Sequence, residues 1–225
     1  AYDAGVTIGT YLKQLGFNVD YAPVADVLTN PGNTAIGTRS FGSDASMVAD
    51  MVIKELEGLS SQGVFGAVKH FPGQGGVSGD SHDGAVTLDK SLEELMQTEL
   101  VPFQKALENG VSFVMVGHIS VPQVVGDNTP ASLSQMMVSN VLREQLGYQG
   151  IVITDAMNMG AVTGNYTADQ AAVMAVNAGV DMILMPQDYE TAYNGLLQAV
   201  QDGTISEERI DESVERIVKV KLQMQ

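Results

Sequence analysis

Two of the chain's three histidines lie in one glycine-rich stretch, His70-Phe71-Pro72-Gly73-Gln74-Gly75-Gly76-Val77-Ser78-Gly79-Asp80-Ser81-His82. So much glycine argues against regular structure and for a flexible loop, the kind of segment that carries binding and catalytic groups. Asp80 and His82 are one residue apart, so in a turn the carboxylate can hold the imidazole and raise its basicity, giving a proton-transfer pair. On spacing alone, a surface loop with an incidental histidine is the stronger of the two readings.

Asp155 follows the apolar run Gly150 to Thr154. A carboxylate there suits a nucleophile or an electrostatic stabiliser, and equally the cap of a following helix. Lys69 and His70 close another apolar run, where they can donate hydrogen bonds to hydroxyl groups, although a lysine at a strand end is more often a solvated charge. Arg39, in Gly37-Thr38-Arg39-Ser40-Phe41-Gly42, offers a planar fork of donors for vicinal hydroxyls or a carboxylate; the alternative is an exposed loop arginine. His118 fits a satisfied core histidine. His70, His82 and His118 match no metal-ligand spacing, although these histidines and Asp155 converging on one mouth leave a metal site open.

The elements that must position these residues alternate. One helical face is formed by Ala4, Ile8, Tyr11, Leu12 and Leu15, with Gly16 as its left-handed end. A buried strand then covers 19–27, a helix 43–61 and a strand 65–70. Ser91 and Glu94 make a capping box for a helical run to Gly110, with Pro102 as a kink or restart. Strand 112–118, helix 134–146, strand 150–154, helix 167–178 with a Thr167/Gln170 box, strand 181–186 and two helical segments complete the chain. Near-continuous apolar strands such as Ile151-Val152-Ile153 imply parallel strands covered on both faces, an α/β architecture with five visible units. Asp26, Lys69-His70, Gly117-His118, Asp155 and Gln187-Asp188 all fall at C-terminal strand ends, the active-site face of a parallel barrel. The first visible strand is not followed by a glycine-rich phosphate fingerprint, which gives dinucleotide binding little support.

Composition narrows the function. With 225 residues, 44% hydrophobic and 17% charged, one core and one domain are expected. Against 27 acidic residues stand 11 basic ones, a net charge of -16. That repels nucleic acid and anionic membrane surfaces. Without cysteine there is no thiolate nucleophile, disulfide or sulfur-bound metal. No apolar run reaches the roughly 20 residues that span a bilayer, so the chain reads as soluble, either cytoplasmic or exported with its signal outside this sequence.

Lys69-His70-Phe71-Pro72-Gly73 followed by Asp80-Ser81-His82 resembles the signature of glycoside hydrolase family 3, in its β-N-acetylhexosaminidase branch. The resemblance continues through Tyr21-Ala22-Pro23-Val24-Ala25-Asp26-Val27, Arg39-Ser40-Phe41-Gly42 and Val152-Ile153-Thr154-Asp155-Ala156-Met157, in family order. It implies a (β/α)8 TIM-barrel type fold and retaining hydrolysis of terminal β-linked N-acetylglucosamine, with no metal or organic cofactor. By that resemblance Asp155 is the nucleophile, His82 oriented by Asp80 the acid/base, and Arg39, Lys69, His70, His118 and Asp26 bind the sugar. A β-glucosidase, a glycoside phosphorylase and a non-catalytic carbohydrate-binding fragment are the related alternatives.

Two departures stand out. Gln74 replaces a histidine found in many relatives, and the family's first three barrel strands have no counterpart before Ala1. Residues 1–225 are therefore expected to be one catalytic domain lacking its first strands, weakly active or inactive in isolation, because five strands cannot close an eight-stranded barrel. Open edges at Val19 to Val27 and Met182 to Pro186 would invite self-association.

Overall fold

Helix α1, Tyr2–Gln14, stops where Gly16 turns left-handed at φ +85, as the glycine after its apolar face predicts. The computed structural model describes residues 1–224. Helix α1 leads into strand β1, Val19–Asp20, and then helix α2, Ala45–Ser61, capped by Asp44, which accepts from the Met47 N–H at 2.8 Å. The two helices meet backbone to backbone: a Cβ on Gly58 would lie 2.3 Å from the Tyr2 carbonyl, and one on Gly5 would lie 2.5 Å from that of Glu55.

Strand β2, Phe65–Phe71, is followed by the glycine-rich loop, a short strand β3, Val86–Thr87, and helices α3, Leu92–Gln97, and α4, Val101–Glu108. The expected restart at Pro102 is observed: proline sits in the first turn of α4, where no N–H is needed. The predicted strand 112–118 is regular as β4, Phe113–Val116, and a separate short strand β5, Ile119–Ser120, follows beyond its predicted end. After the short helix α5, Pro122–Val125, the predicted helix 134–146 is π-wound over Met136–Gln145. Strand β6, Ile151–Ala156, a single turn α6, Gly160–Thr163, helix α7, Ala168–Ala178, strand β7, Met182–Leu184, and helices α8, Tyr189–Gln201, and α9, Glu207–Gln223, complete the order. Both capping boxes form as read.

The α/β expectation holds. The main sheet runs β1-β2-β4-β6-β7 with every pair parallel, and β3 pairs with β5 beside it. The predicted strand 19–27 is regular only at its start. Beyond Asp20 it still follows β2, the Ala22 and Pro23 carbonyls accepting from Ala67 and Lys69, but Pro23 has no N–H to return to the ladder. Strands β1 and β7 each pair on one side only and form the margins of the sheet.

One face of the sheet packs on the helices through Val68, Val114, Val152, Leu95, Phe103 and their neighbours. The other gathers Val19, Phe65, Phe113, Ile151 and Met182, the first residue of each main strand, against Ile217, Val220 and Met224. Helix α9 therefore closes the N-terminal ends of the strands. It is fastened there by Asp181, whose buried carboxylate accepts from Arg143 at 2.6 Å, Ser213 at 2.6 Å and Arg216 at 3.0 Å. With that end closed, chemistry is left to the opposite end. No helix among the described residues is long and apolar enough to cross a membrane.

Candidate active site

Register levels the strand ends. Phe71 of β2 lies opposite Val116 of β4, and Val116 opposite Thr154 of β6, so Lys69-His70, Gly117-His118 and Asp155 meet at one rim. Asp155 lies inside β6 and does not cap the next helix, whose N-cap is Met159. Its Oδ1 accepts from the Ala156 N–H at 2.8 Å, and its Oδ2 stands 3.8 Å from His70 Nε2. The side chain is only 16% exposed.

His70 is buried and donates from Nδ1 to Asp26 Oδ2 at 2.8 Å. The other Asp26 oxygen accepts the backbone N–H of His70 at 3.2 Å and of Gln74 at 2.6 Å. Three donors on one enclosed side chain suit a carboxylate. They fix the histidine so that Nε2 faces the rim. Asp26 itself, 0% exposed, sits beneath His70 with both carboxylate oxygens engaged by His70 and Gln74.

His118 is held in a similar way. Its Nε2 donates to the Ala156 carbonyl at 3.0 Å, so Nδ1 accepts from the Ser132 hydroxyl at 2.7 Å. Burial pushes its pKa down and keeps the ring neutral, against the pull of Asp155. Both of its ring nitrogens are engaged within the protein. It steadies the backbone that carries Asp155. Among the described residues no group of three or more His, Asp or Glu side chains is arranged to hold a metal ion.

Lys69 is half-buried. Burial, followed by the nearby Arg39 charge, lowers its pKa, while Asp155, Asp20 and Asp26 pull the other way. Its ammonium has no hydrogen-bond partner among the described residues, and the residue lines a cavity of about 920 Å³ that also touches the first residues of β1, β4, β6 and β7 and Ile217 and Val220 of α9. Arg39 is exposed on a 3-10 turn, Gly37–Arg39, with Nε and Nη2 donating to the Ala35 carbonyl at 3.2 and 2.7 Å. It acts electrostatically on both Lys69 and Asp80.

The glycine-rich loop is not free along its whole length. Pro72, Gly73, Gln74 and Gly75 are buried, and a Cβ on Gly75 would overlap the Val27 carbonyl at 2.0 Å. Only the tip stands out. There His82, 65% exposed, donates from Nδ1 to Asp80 Oδ1 at 2.7 Å, and its backbone N–H donates to the same oxygen at 2.9 Å. Those two bonds hold the Asp80 carboxyl below the usual range, so it stays ionised. Ser81, between them, is buried. Gln74, Ser81 and Gly160, which make contacts at this loop, and Ser132, which bonds His118, carry no local signal of these contacts in the sequence.

Residues 1–220 match the glycosyl hydrolase family 3 N terminal domain, and the chain belongs to that family. Its sheet is of TIM-barrel type, with five β/α units apparent. A solved β-N-acetylglucosaminidase of the family from Paenibacillus sp. str. FPU-7 is similar over 99% of the chain, with TM-score 0.97 and 41% identity; the chain spans 43% of it. Beta-hexosaminidase A of Pseudoalteromonas piscicida is 31% identical over 96% of the chain, which spans 40% of that relative. A solved β-glucoside phosphorylase, BglX, is similar over 98% of the chain at TM-score 0.94 and 28% identity, the chain spanning 41% of it.

Proposed function

We propose that residues 1–225 supply five β/α units and the catalytic residues to the barrel domain of a retaining β-N-acetylhexosaminidase, which releases terminal β-linked N-acetylglucosamine from glycans or peptidoglycan fragments without a metal or organic cofactor. The observation that carries this reading is Asp155. One of its oxygens is tied down by its own strand, and the other faces His70 at the rim. Asp155 attacks the anomeric carbon as the glycosidic C–O bond breaks, and His82 gives its Nε2 proton to the departing oxygen. In the second step a water passes a proton back to His82 and displaces Asp155 from the sugar. Asp80, ionised at Nδ1, steadies the imidazolium in both steps. Lys69, His70 and Arg39 supply donors and an acceptor for the ring hydroxyls. Asp26 and His118 hold His70 and the Asp155 backbone in place.

The test is release of p-nitrophenol from its β-N-acetylglucosaminide by the protein with its barrel completed to eight strands, and by the same protein carrying Asp155→Asn. Turnover that vanishes with Asp155→Asn supports the reading. Turnover of the β-glucoside alone would move the specificity to the β-glucosidase alternative, and sugar binding without turnover would move it to a binding role.

Phosphorolysis is the second reading, favoured by the similarity to BglX and by the exposed His82, which repels phosphate less than a carboxylate would. Formation of the sugar 1-phosphate in phosphate buffer distinguishes it from hydrolysis. The one-sided strands β1 and β7 would support pairing with a second copy, read by light scattering across a concentration series.

A further inference from the structure

The exposed acid/base pair has a buried anchor between its members. Ser81 is 1% exposed and its hydroxyl accepts from Gln74 Nε2 at 3.1 Å. Gln74 is itself fixed on two other sides: its N–H donates to Asp26, and its carbonyl accepts from Asn33 Nδ2 at 2.6 Å. The loop is pinned a second time. The Ser81 and His82 carbonyls accept from the Ala161 and Gly160 N–H groups at 3.1 and 3.0 Å. Those donors belong to the first turn of α6, where no helical acceptor exists for them, and they leave the strand that carries Asp155. A Cβ on Gly160 would stand 2.7 Å from the His82 carbonyl oxygen and 2.9 Å from the Asp83 carbonyl carbon. Only glycine permits this approach.

Resting on the glycosidase reading above, we propose that Gln74, Ser81 and Gly160 are positioning residues that dock the loop tip onto the exit of β6 and thereby set the reach of His82 toward a substrate held at Asp155. Asp26 then serves both halves of the site, holding His70 by its side chain and, through Gln74, the root of the acid/base loop. This also accounts for glutamine at a position where the resemblance sets histidine: its amide spans the distance to Ser81 while its backbone stays on Asp26.

A positioning role for the acid/base has a signature that lost stability does not. Proton donation matters for poor leaving groups and little for good ones, whereas general acid/base help is worth about 10²–10⁴-fold in rate. The experiment measures kcat/KM for the 2,4-dinitrophenyl and the phenyl β-N-acetylglucosaminides with the barrel completed to eight strands, in wild type, His82→Ala, Ser81→Ala, Ser81→Thr, Gln74→Met and Gly160→Ala, with circular dichroism on each. Ser81→Ala, Gln74→Met and Gly160→Ala are expected to lose about 10–100-fold with the phenyl substrate, a part of the full acid/base effect, and little with the dinitrophenyl one. Ser81→Thr keeps the hydroxyl and is expected to retain the phenyl rate. Azide, which attacks the anomeric carbon and displaces Asp155 without needing a base, is expected to raise kcat on the dinitrophenyl substrate in the docking variants, where the base-assisted second step limits turnover, and to yield the glycosyl azide. Equal losses on both substrates, or none, in folded docking variants while His82→Ala shows the split would overturn the docking role and leave the glycosidase reading standing. No split in His82→Ala would overturn both.

Discussion

Asp26→Asn tests how the site is held together with little change of shape. The enclosed carboxylate accepts three N–H groups. Asparagine can keep the two backbone donors on its carbonyl oxygen, but it turns an NH₂ toward His70 Nδ1, where a proton already sits. His70 must then give up that proton and carry it on Nε2, reversing its character at the rim. The lost charge-assisted bond costs about 1.5–3 kcal/mol of stability, which for a domain of this size lowers Tm by roughly 3–12 °C at about 2–4 °C per kcal/mol. On activity, a ring that donates where it accepted removes an interaction with a sugar hydroxyl, about 1.4–2.7 kcal/mol, or roughly 10–100-fold in kcat/KM. The assays are thermal unfolding by circular dichroism and p-nitrophenyl β-N-acetylglucosaminide turnover, the latter with the barrel completed to eight strands. An unchanged Tm together with unchanged kcat/KM would refute the account of Asp26 as the support of His70.

Three further outcomes follow from other parts of the molecule. Asp181→Ala strips a buried carboxylate from Arg143 and from Arg216, which keeps Glu212 at 3.7 Å, leaving the largely buried Arg143 charge without a carboxylate among the described residues; urea unfolding is expected to show a loss of about 3–5 kcal/mol. His118 has a folded pKa below its ordinary 6.5, so as pH falls through 6.5 the unfolded chain takes up a proton that the folded chain refuses. Its contribution is fully present above that pH and declines below it until the folded pKa is reached; urea midpoints between pH 7.5 and 5 should fall, and less steeply in His118→Gln. Gly58→Ala drives a methyl into the Tyr2 carbonyl and the Val6 N–H and is expected to cost about 1–3 kcal/mol by overpacking, seen as an earlier thermal transition, with the spectrum of the folded state retained.

Several features were legible in the chain because each depends on a few adjacent residues. Ser91 with Glu94 and Thr167 with Gln170 wrote their own capping boxes. Asp155 follows its apolar strand as the local pattern requires, and the i, i+2 spacing of Asp80 and His82 permits the hydrogen bond observed, although spacing alone favours an incidental loop histidine and the family resemblance is what singles out the pair. Where the local rule met a longer-range constraint, the reading slipped. Pro23 broke the regular ladder of strand 19–27, and Asp188, expected to serve chemistry at a strand end, caps α8 by accepting from Thr191. The loop judged flexible from its glycines has a buried root, because those glycines admit the Val27 carbonyl and the Glu99 side chain at close range.

The sequence by itself determined the α/β alternation, the polar residues at the strand ends and the family. These follow from periodicity and from residue types within short windows. Only the tertiary structure decided what each polar group is free to do. Asp26 and His118 read as sugar contacts on paper, yet Asp26 is consumed by a histidine 44 residues away, and His118 by a serine and by a carbonyl 38 residues away. A buried polar group takes whichever partner the fold brings within hydrogen-bond reach, because leaving it unpaired costs about 1–3 kcal/mol. That choice depends on strand register and loop docking, which no window of sequence contains.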